Sequence, residues 1–257
     1  MKHRARGDGS GPRIVFGLNP IRELLASRPG DVERLFLAEQ GLSPAVADEL
    51  SSLARGRRLP VERARRDALD AMAEGGVHQG VVAHVKPFHY RDLDELLSLA
   101  LASDRPPLLV VLDGVQDPQN FGAIVRSAWA FGAHGVVVPQ DRAAQVTGAV
   151  VKASAGAIEL CPIARVVNLA RAIDALKEAN LWTVAAEPRE GRPLHQARLE
   201  GAAGLVIGAE GQGVRQNVAA HCDDRVAIPM THGFESLNAS AAAAVLLYEA
   251  SRQRLVR

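Results

Sequence analysis

Gly204-Leu205-Val206-Ile207-Gly208 runs straight into Ala209-Glu210-Gly211-Gln212-Gly213, and this stretch decides how the rest of the chain is read. The first five residues are small or apolar and bounded by glycine, the signature of a short strand. The next five form a glycine-rich turn, with Glu210 as a carboxylate among small residues. Val214–Ala220 then reads as a helix. Ile228-Pro229-Met230 repeats the pattern. Pro229 has no N–H to give to a sheet, so it ends a strand over Val226–Ile228. Ser236-Leu237-Asn238-Ala239-Ser240 then opens an alanine-rich helix, Ala239–Gln253, that Ser236 or Asn238 can cap. Two turns without bulky side chains, each at a strand exit, imply a pocket where backbone meets a ligand.

Upstream, Leu108–Leu112 is a continuous apolar run of the kind buried on both faces of a parallel sheet. A helix over Phe121–Phe131 follows. Gly135–Val138, Ile158–Cys161, Trp182–Ala186 and Leu205–Ile207 continue the strands, with helices between most of them. This alternation predicts an α/β fold with a parallel sheet, whose ligand crevice lies beyond the carboxyl ends of the strands. The first part of the chain alternates more tightly. Pro20–Ser27, Ala45–Arg55 and Asp67–Ala73 read as helices. Val32–Ala38, Leu59–Val61 and Val81–Val85 read as strands. The expected organisation is a flexible tail over 1–11, a small α/β domain over 12–83, a linker over 84–92 and a second α/β domain over 93–257.

Composition narrows the function classes. The 257 residues carry a formal net charge of +1, so any case for nucleic acid rests on local patches. The run Arg55, Arg57, Arg58, Arg63, Arg65, Arg66 is such a patch, broken by Glu62. Cys161 and Cys222 lie far apart and form no CxxC, which fits a reducing cytoplasm and argues against a disulfide framework or zinc site. Apolar runs fall short of a membrane span, and the polar, basic N-terminus lacks the core of a signal peptide.

Asp113-Gly114-Val115-Gln116-Asp117-Pro118-Gln119-Asn120-Phe121-Gly122 follows the Leu108–Leu112 strand. Asp117-Pro118 starts a turn, and Asn120 is a candidate N-cap. Arg126 sits one turn into the helix, and helical side chains lean toward the N-terminus, here over Gly122. Gly122 covers nothing, so Arg126 can reach toward the strand-end crevice. The ordinary alternative is a solvated arginine. Gly208–Gly213 is neither a dinucleotide fingerprint nor a phosphate loop with its lysine, and no glycine fingerprint follows Leu108–Leu112, which disfavours an oxidoreductase.

Taken in order, Asn120, Gly122 and Arg126, then Gly208, Glu210, Gly211 and Gly213, then Ile228-Pro229-Met230 with Ser236-Leu237-Asn238, resemble the SpoU/TrmH family of RNA ribose 2′-O-methyltransferases in the SPOUT superfamily. Gly17-Leu18-Asn19-Pro20-Ile21 and Gly76-Val77-His78-Gln79-Gly80 resemble the accessory RNA-binding domain of the branch that methylates a guanosine of 23S rRNA. One position departs. Where the family often has glycine two residues after the methionine, this chain has His232, with Gly233 next.

The resemblance implies a trefoil knot in the C-terminal sheet, S-adenosylmethionine as methyl donor without a metal, and a homodimer through the C-terminal domain. It assigns donor contacts to Gly208, Ile228 and Leu237, with Gly213 and Met230 beside them. It assigns catalysis to Arg126, with Asn120, Glu210, Ser236 and Asn238 orienting it and the RNA. In an RNA-binding domain, Arg57, Arg58 and Arg65 become candidate phosphate contacts. The expected activity is methyl transfer to a guanosine 2′-hydroxyl of 23S rRNA. A tRNA ribose methyltransferase and a non-catalytic RNA-binding assembly factor are the alternatives.

Overall fold

A computed structural model describes residues 13–188, 190–231 and 236–255. The tail expected over 1–11 lies outside them. The chain divides into two compact units, residues 1–89 with 146–160, and residues 90–145 with 161–257.

The first unit contains β1 (Arg13–Phe16), α1 (Leu18–Ser27), β2 (Val32–Ala38), α2 (Pro44–Arg55), β3 (Val61–Ala64), α3 (Arg66–Met72) and β4 (Val81–Val85). Its sheet order is β1-β4-β2-β3, with β4 antiparallel to both neighbours and β3 parallel to β2. Sequence reasoning missed β1, a half-buried edge strand. It also started β3 two residues early. Pro60 precedes the ladder, and only its carbonyl takes part, accepting from Leu35 N–H at 2.9 Å.

The second unit begins with α4 (Leu93–Leu101), β5 (Leu108–Asp113), α5 (Pro118–Ala130) and β6 (Gly135–Pro139). The next helix, α6 (Gly148–Ala153), belongs by its contacts to the first unit, although 146–160 was expected within the second domain. It packs on β1 so closely that a Cβ on Gly148 would stand 3.2 Å from the Ile14 carbonyl. The Arg13 guanidinium pairs with the buried Glu159 carboxylate in the same unit. The chain then continues as β7 (Ile163–Val166), α7 (Leu169–Glu178), β8 (Trp182–Ala186), β9 (Arg192–Pro193), β10 (Ala203–Gly208), α8 (Gln216–Ala219), β11 (Asp224–Ala227) and α9 (Ala239–Leu255).

The second sheet runs β7-β6-β5-β10-β8-β11-β9, parallel throughout. β5, β6 and β10 are buried along their whole length, which is why they read as unbroken apolar runs. Leu109, Val111 and Val206 pack with α4 and α7 residues such as Leu96, Ile173 and Leu176. On the opposite face, α5 and α9 pack together, with the Phe131 ring edge-on to Tyr248 at 6.0 Å between centroids.

Two local expectations are corrected. Ile158–Cys161 is not a strand. Ala155 and Gly156 are both left-handed, at φ 50° and 88°, and turn the chain into a 3-10 helix over Ala157–Glu159. The strand is β7, beyond Pro162. Short buried apolar runs of this kind carry no period by which to tell strand from helix. The cap of α5 is Asp117 rather than Asn120. Its carboxylate accepts from the N–H groups of Gln119 at 3.2 Å and Asn120 at 3.0 Å, with Pro118 in the first helical position.

Candidate active site

Gly208 stands in register with Asp113 at the carboxyl ends of the paired strands β10 and β5. From β5 the chain winds one way, through β6 and β7. Beyond β10 lie β8 and β11, and such a reversal is where α/β sheets place ligands. A cavity of about 370 Å³ opens there, at the ends of β8, β10 and β11. Ile207, Val226 and Leu246 line it with apolar side chains that are themselves buried, and residues 208–213, 227 and 228 complete the wall.

The glycine turn is built by close approach. A Cβ on Gly208 would fall 1.9 Å from the carbonyl carbon of Gly213, so no other residue fits while the turn folds back on its strand. Gly213 N–H donates to the Ala209 carbonyl at 2.9 Å and closes the loop. Gly211 and Gly213 are left-handed, at φ 76° and 67°, where glycine is the unstrained choice.

Two side-chain ties fix this turn. The buried Asp113 accepts from the Arg215 backbone N–H at 2.8 Å and from its Nε at 2.7 Å. Asn238 caps α9, its Oδ1 accepting from Ser240 N–H at 2.9 Å, while its Nδ2 donates to Glu210 Oε2 at 2.9 Å. Glycine turn and last helix are thereby joined through one amide side chain.

A third wall was missed in the sequence. Glu187, directly after β8, and Gly191 press against β11. Glu187 N–H donates to the Val226 carbonyl at 2.8 Å, and a Cβ on Gly191 would fall 2.2 Å from the Val226 carbonyl carbon. Glu187 and Glu190 join Glu210 in the lining, in which the described residues include no lysine or arginine. Glu190 pairs with Arg225. Glu187 Oε1 is shielded from solvent and has no hydrogen-bond partner among the described residues. Burial pushes the Glu187 carboxyl above the usual range, Arg225 draws it down and Glu190 adds to the rise.

Gly208, Gly213, Ile228, Met230 and Leu237, the expected donor contacts, all line this cavity, as do Glu210 and Ser236. Asn238 is joined to it through Glu210. Asn120 and Arg126 are not in the lining. They lie on α5, which packs beside the cavity helix α9. Asn120 is half-buried and Arg126 exposed, and no hydrogen bond or ion pair of Arg126 occurs among the described residues. His232 lies outside the described residues. Arg57, Arg58 and Arg65 are exposed in the first unit, Arg65 paired with Asp67 at 3.0 Å. The Cys222 thiol is pushed up to about 12, chiefly by burial and then by Asp223, which leaves it protonated and unreactive at neutral pH. No helix among the described residues is long and apolar enough to cross a membrane.

Comparison with known proteins gives a consistent picture. Residues 107–248 match the model of the SpoU rRNA methylase family, and residues 14–91 match that of the RNA 2′-O ribose methyltransferase substrate-binding domain. The chain is 41% identical over 243 residues to the 23S rRNA (guanosine-2′-O-)-methyltransferase RlmB of Pseudomonas putida, covering 95% of this chain and 97% of the relative. It is 38% identical over 241 residues to RlmB of Salmonella typhimurium, covering 94% and 98%. Among solved structures, the SpoU methyltransferase AviRb of Streptomyces viridochromogenes in complex with AdoMet superposes with a TM-score of 0.81 at 29% identity, covering 96% of this chain and 92% of that one.

Proposed function

The chain belongs to the SpoU rRNA methylase family, and from that premise we propose that it transfers a methyl group from S-adenosylmethionine to the ribose 2′-hydroxyl of a guanosine in 23S rRNA. The observation that carries this reading is the cavity beyond β8, β10 and β11, lined by all five expected donor-contact residues. Its size suits a small cofactor, within the ~300–1,000 Å³ usual for ligand pockets. Its apolar residues, glycine turn and carboxylates suit a cationic, amphipathic ligand. When bound, S-adenosylmethionine supplies an activated methyl group carried on a sulfonium.

The protein's part is positioning and electrostatics. Gly208, Gly213, Ile228, Met230 and Leu237 hold the donor. Glu210 and Asn238 keep the glycine turn against α9, with Ser236 beside them. The Arg126 guanidinium acts as a positive charge with donors and no acceptor. It binds the ribose or its phosphate and stabilises the negative charge that develops on the 2′-oxygen, with Asn120 orienting the RNA at the start of the same helix. Action on ribosomal RNA places the protein in the cytoplasm. The trefoil knot and a homodimer belong to the same reading. The exposed Trp129, Val245 and Tyr248 on α5 and α9 support a second copy there, and a monomeric mass by light scattering would remove it.

The deciding experiment is methyl transfer onto 23S rRNA and tRNA transcripts, with the modified nucleotide mapped. A 2′-O-methylguanosine in 23S rRNA is expected. Modification of tRNA alone would make it a tRNA enzyme, and donor binding without transfer would make it an assembly factor. Neutralising Arg57, Arg58 and Arg65 should weaken RNA binding and flatten its salt dependence by up to ~0.7–0.9 in log–log slope per lost phosphate contact. Arg65, already paired with Asp67, should contribute least. An unchanged slope rules the patch out.

A further inference from the structure

Glu187 is not among the residues through which the donor site was read, and the structure sets it apart from the other carboxylates of the cavity. Glu210 accepts from Asn238 and Glu190 pairs with Arg225. Glu187 Oε1 is sealed from solvent and has no partner among the described residues. The backbone gives it little room to retreat. Its N–H is bonded to the Val226 carbonyl and its own carbonyl accepts from Gly191 N–H at 3.0 Å. An acceptor held at a cavity wall without a donor is a cost to the free protein, and a ligand that meets it removes that cost.

We propose that Glu187 is a charge-selecting residue of the methyl-donor site, favouring the positively charged donor over its demethylated product. The inference rests on the reading of this cavity as the donor site. Its chemical basis is the difference between the two ligands. S-adenosylmethionine carries a sulfonium charge that S-adenosylhomocysteine lacks, while the other groups of the two molecules are the same. A carboxylate oxygen that is shielded from solvent and has no hydrogen-bond partner among the described residues attracts that charge through several ångströms. The same attraction vanishes once the methyl group has been transferred, so Glu187 holds the donor and loosens the product. Arg225 and Glu190 face the same carboxylate and set its background, but both are already occupied by one another.

The test is calorimetric titration of the full-length protein with S-adenosylmethionine, S-adenosylhomocysteine and sinefungin, which bears an amine in place of the sulfonium methyl. Glu187→Gln keeps the shape and removes the charge. It should weaken S-adenosylmethionine and sinefungin on the order of tenfold and leave S-adenosylhomocysteine within about twofold of wild type. Glu187→Asp keeps the charge and should retain most of the preference. The ligand-free Glu187→Gln protein should melt no lower than wild type, since it loses an unpartnered buried oxygen rather than a contact. Equal weakening of all three ligands, or of none, overturns the proposal and leaves the donor site standing. If wild-type protein binds none of them, the reading of the cavity falls and this inference with it.

Discussion

Two loops leave the sheet side by side, and they differ in how firmly they are held. The glycine turn after β10 and the start of α5 after β5 begin at Gly208 and Asp113, which are paired in register. The glycine turn is tied on every side, by Gly213 to Ala209, by Asp113 to Arg215 and by Asn238 to Glu210. The side chain proposed for catalysis on α5 is the opposite. Its helix is capped firmly by Asp117, but Arg126 projects into solvent with no bond among the described residues. On the proposed function this contrast is a division of labour. The donor half is organised before any ligand arrives, and the acceptor half presents a charge whose partner is the RNA.

Arg126→Ala tests that division most severely. Removing one electrostatic contact at a reacting oxygen costs about 10²–10³ in rate. Methyl transfer should fall by that much or more, while calorimetry returns a wild-type affinity for S-adenosylmethionine. Because Arg126 is exposed, the melting temperature should hardly move. Loss of donor affinity in this variant would mean that the two halves are one site, and wild-type turnover would take Arg126 out of the mechanism.

Gly208→Ala attacks the other half. Its new methyl group would lie 1.9 Å from Gly213 C and 2.0 Å from Gly213 O, so backbone must move. Forcing a methyl group into such a site costs about 1–3 kcal/mol, read as a lower melting temperature, and the displaced turn should lose at least tenfold in donor affinity. Wild-type donor affinity in a folded Gly208→Ala protein would show that the turn is not a wall of the site.

What was legible follows the same contrast. β5, β10 and the glycine turn could be read because burial on both faces writes an unbroken apolar run, and because close backbone approach leaves only glycine. The ties could not. Asp113 and Arg215 are separated by 102 positions, and nothing local marks Asp113 as buried. Glu187 follows its strand much as Glu210 follows Gly208, and that parallel was the available signal. β1 was hidden for a different reason. Its four residues are an edge strand of mixed burial that starts on Arg13, whose charge is balanced by Glu159 far along the chain. The Asp117 cap was within reach, since aspartate before proline is the ordinary start of a helix.

The smallest effect is the most discriminating. Asn238 does two jobs with one amide, since its oxygen caps α9 and its nitrogen holds Glu210. Asn238→Ala removes both and should cost about 1 kcal/mol from the cap, seen as a drop of a few degrees in melting temperature. Asn238→Asp separates them. A carboxylate still accepts from Ser240 N–H, so the helix keeps its cap, but it has no N–H to give and sets a second negative charge beside Glu210. If the tether holds the glycine turn, Asn238→Asp should melt closer to wild type than Asn238→Ala while binding S-adenosylmethionine several-fold more weakly. Equal donor affinity in Asn238→Asp and wild type would show that Asp113, Arg215 and the Gly213 bond suffice, and that Asn238 serves the helix alone.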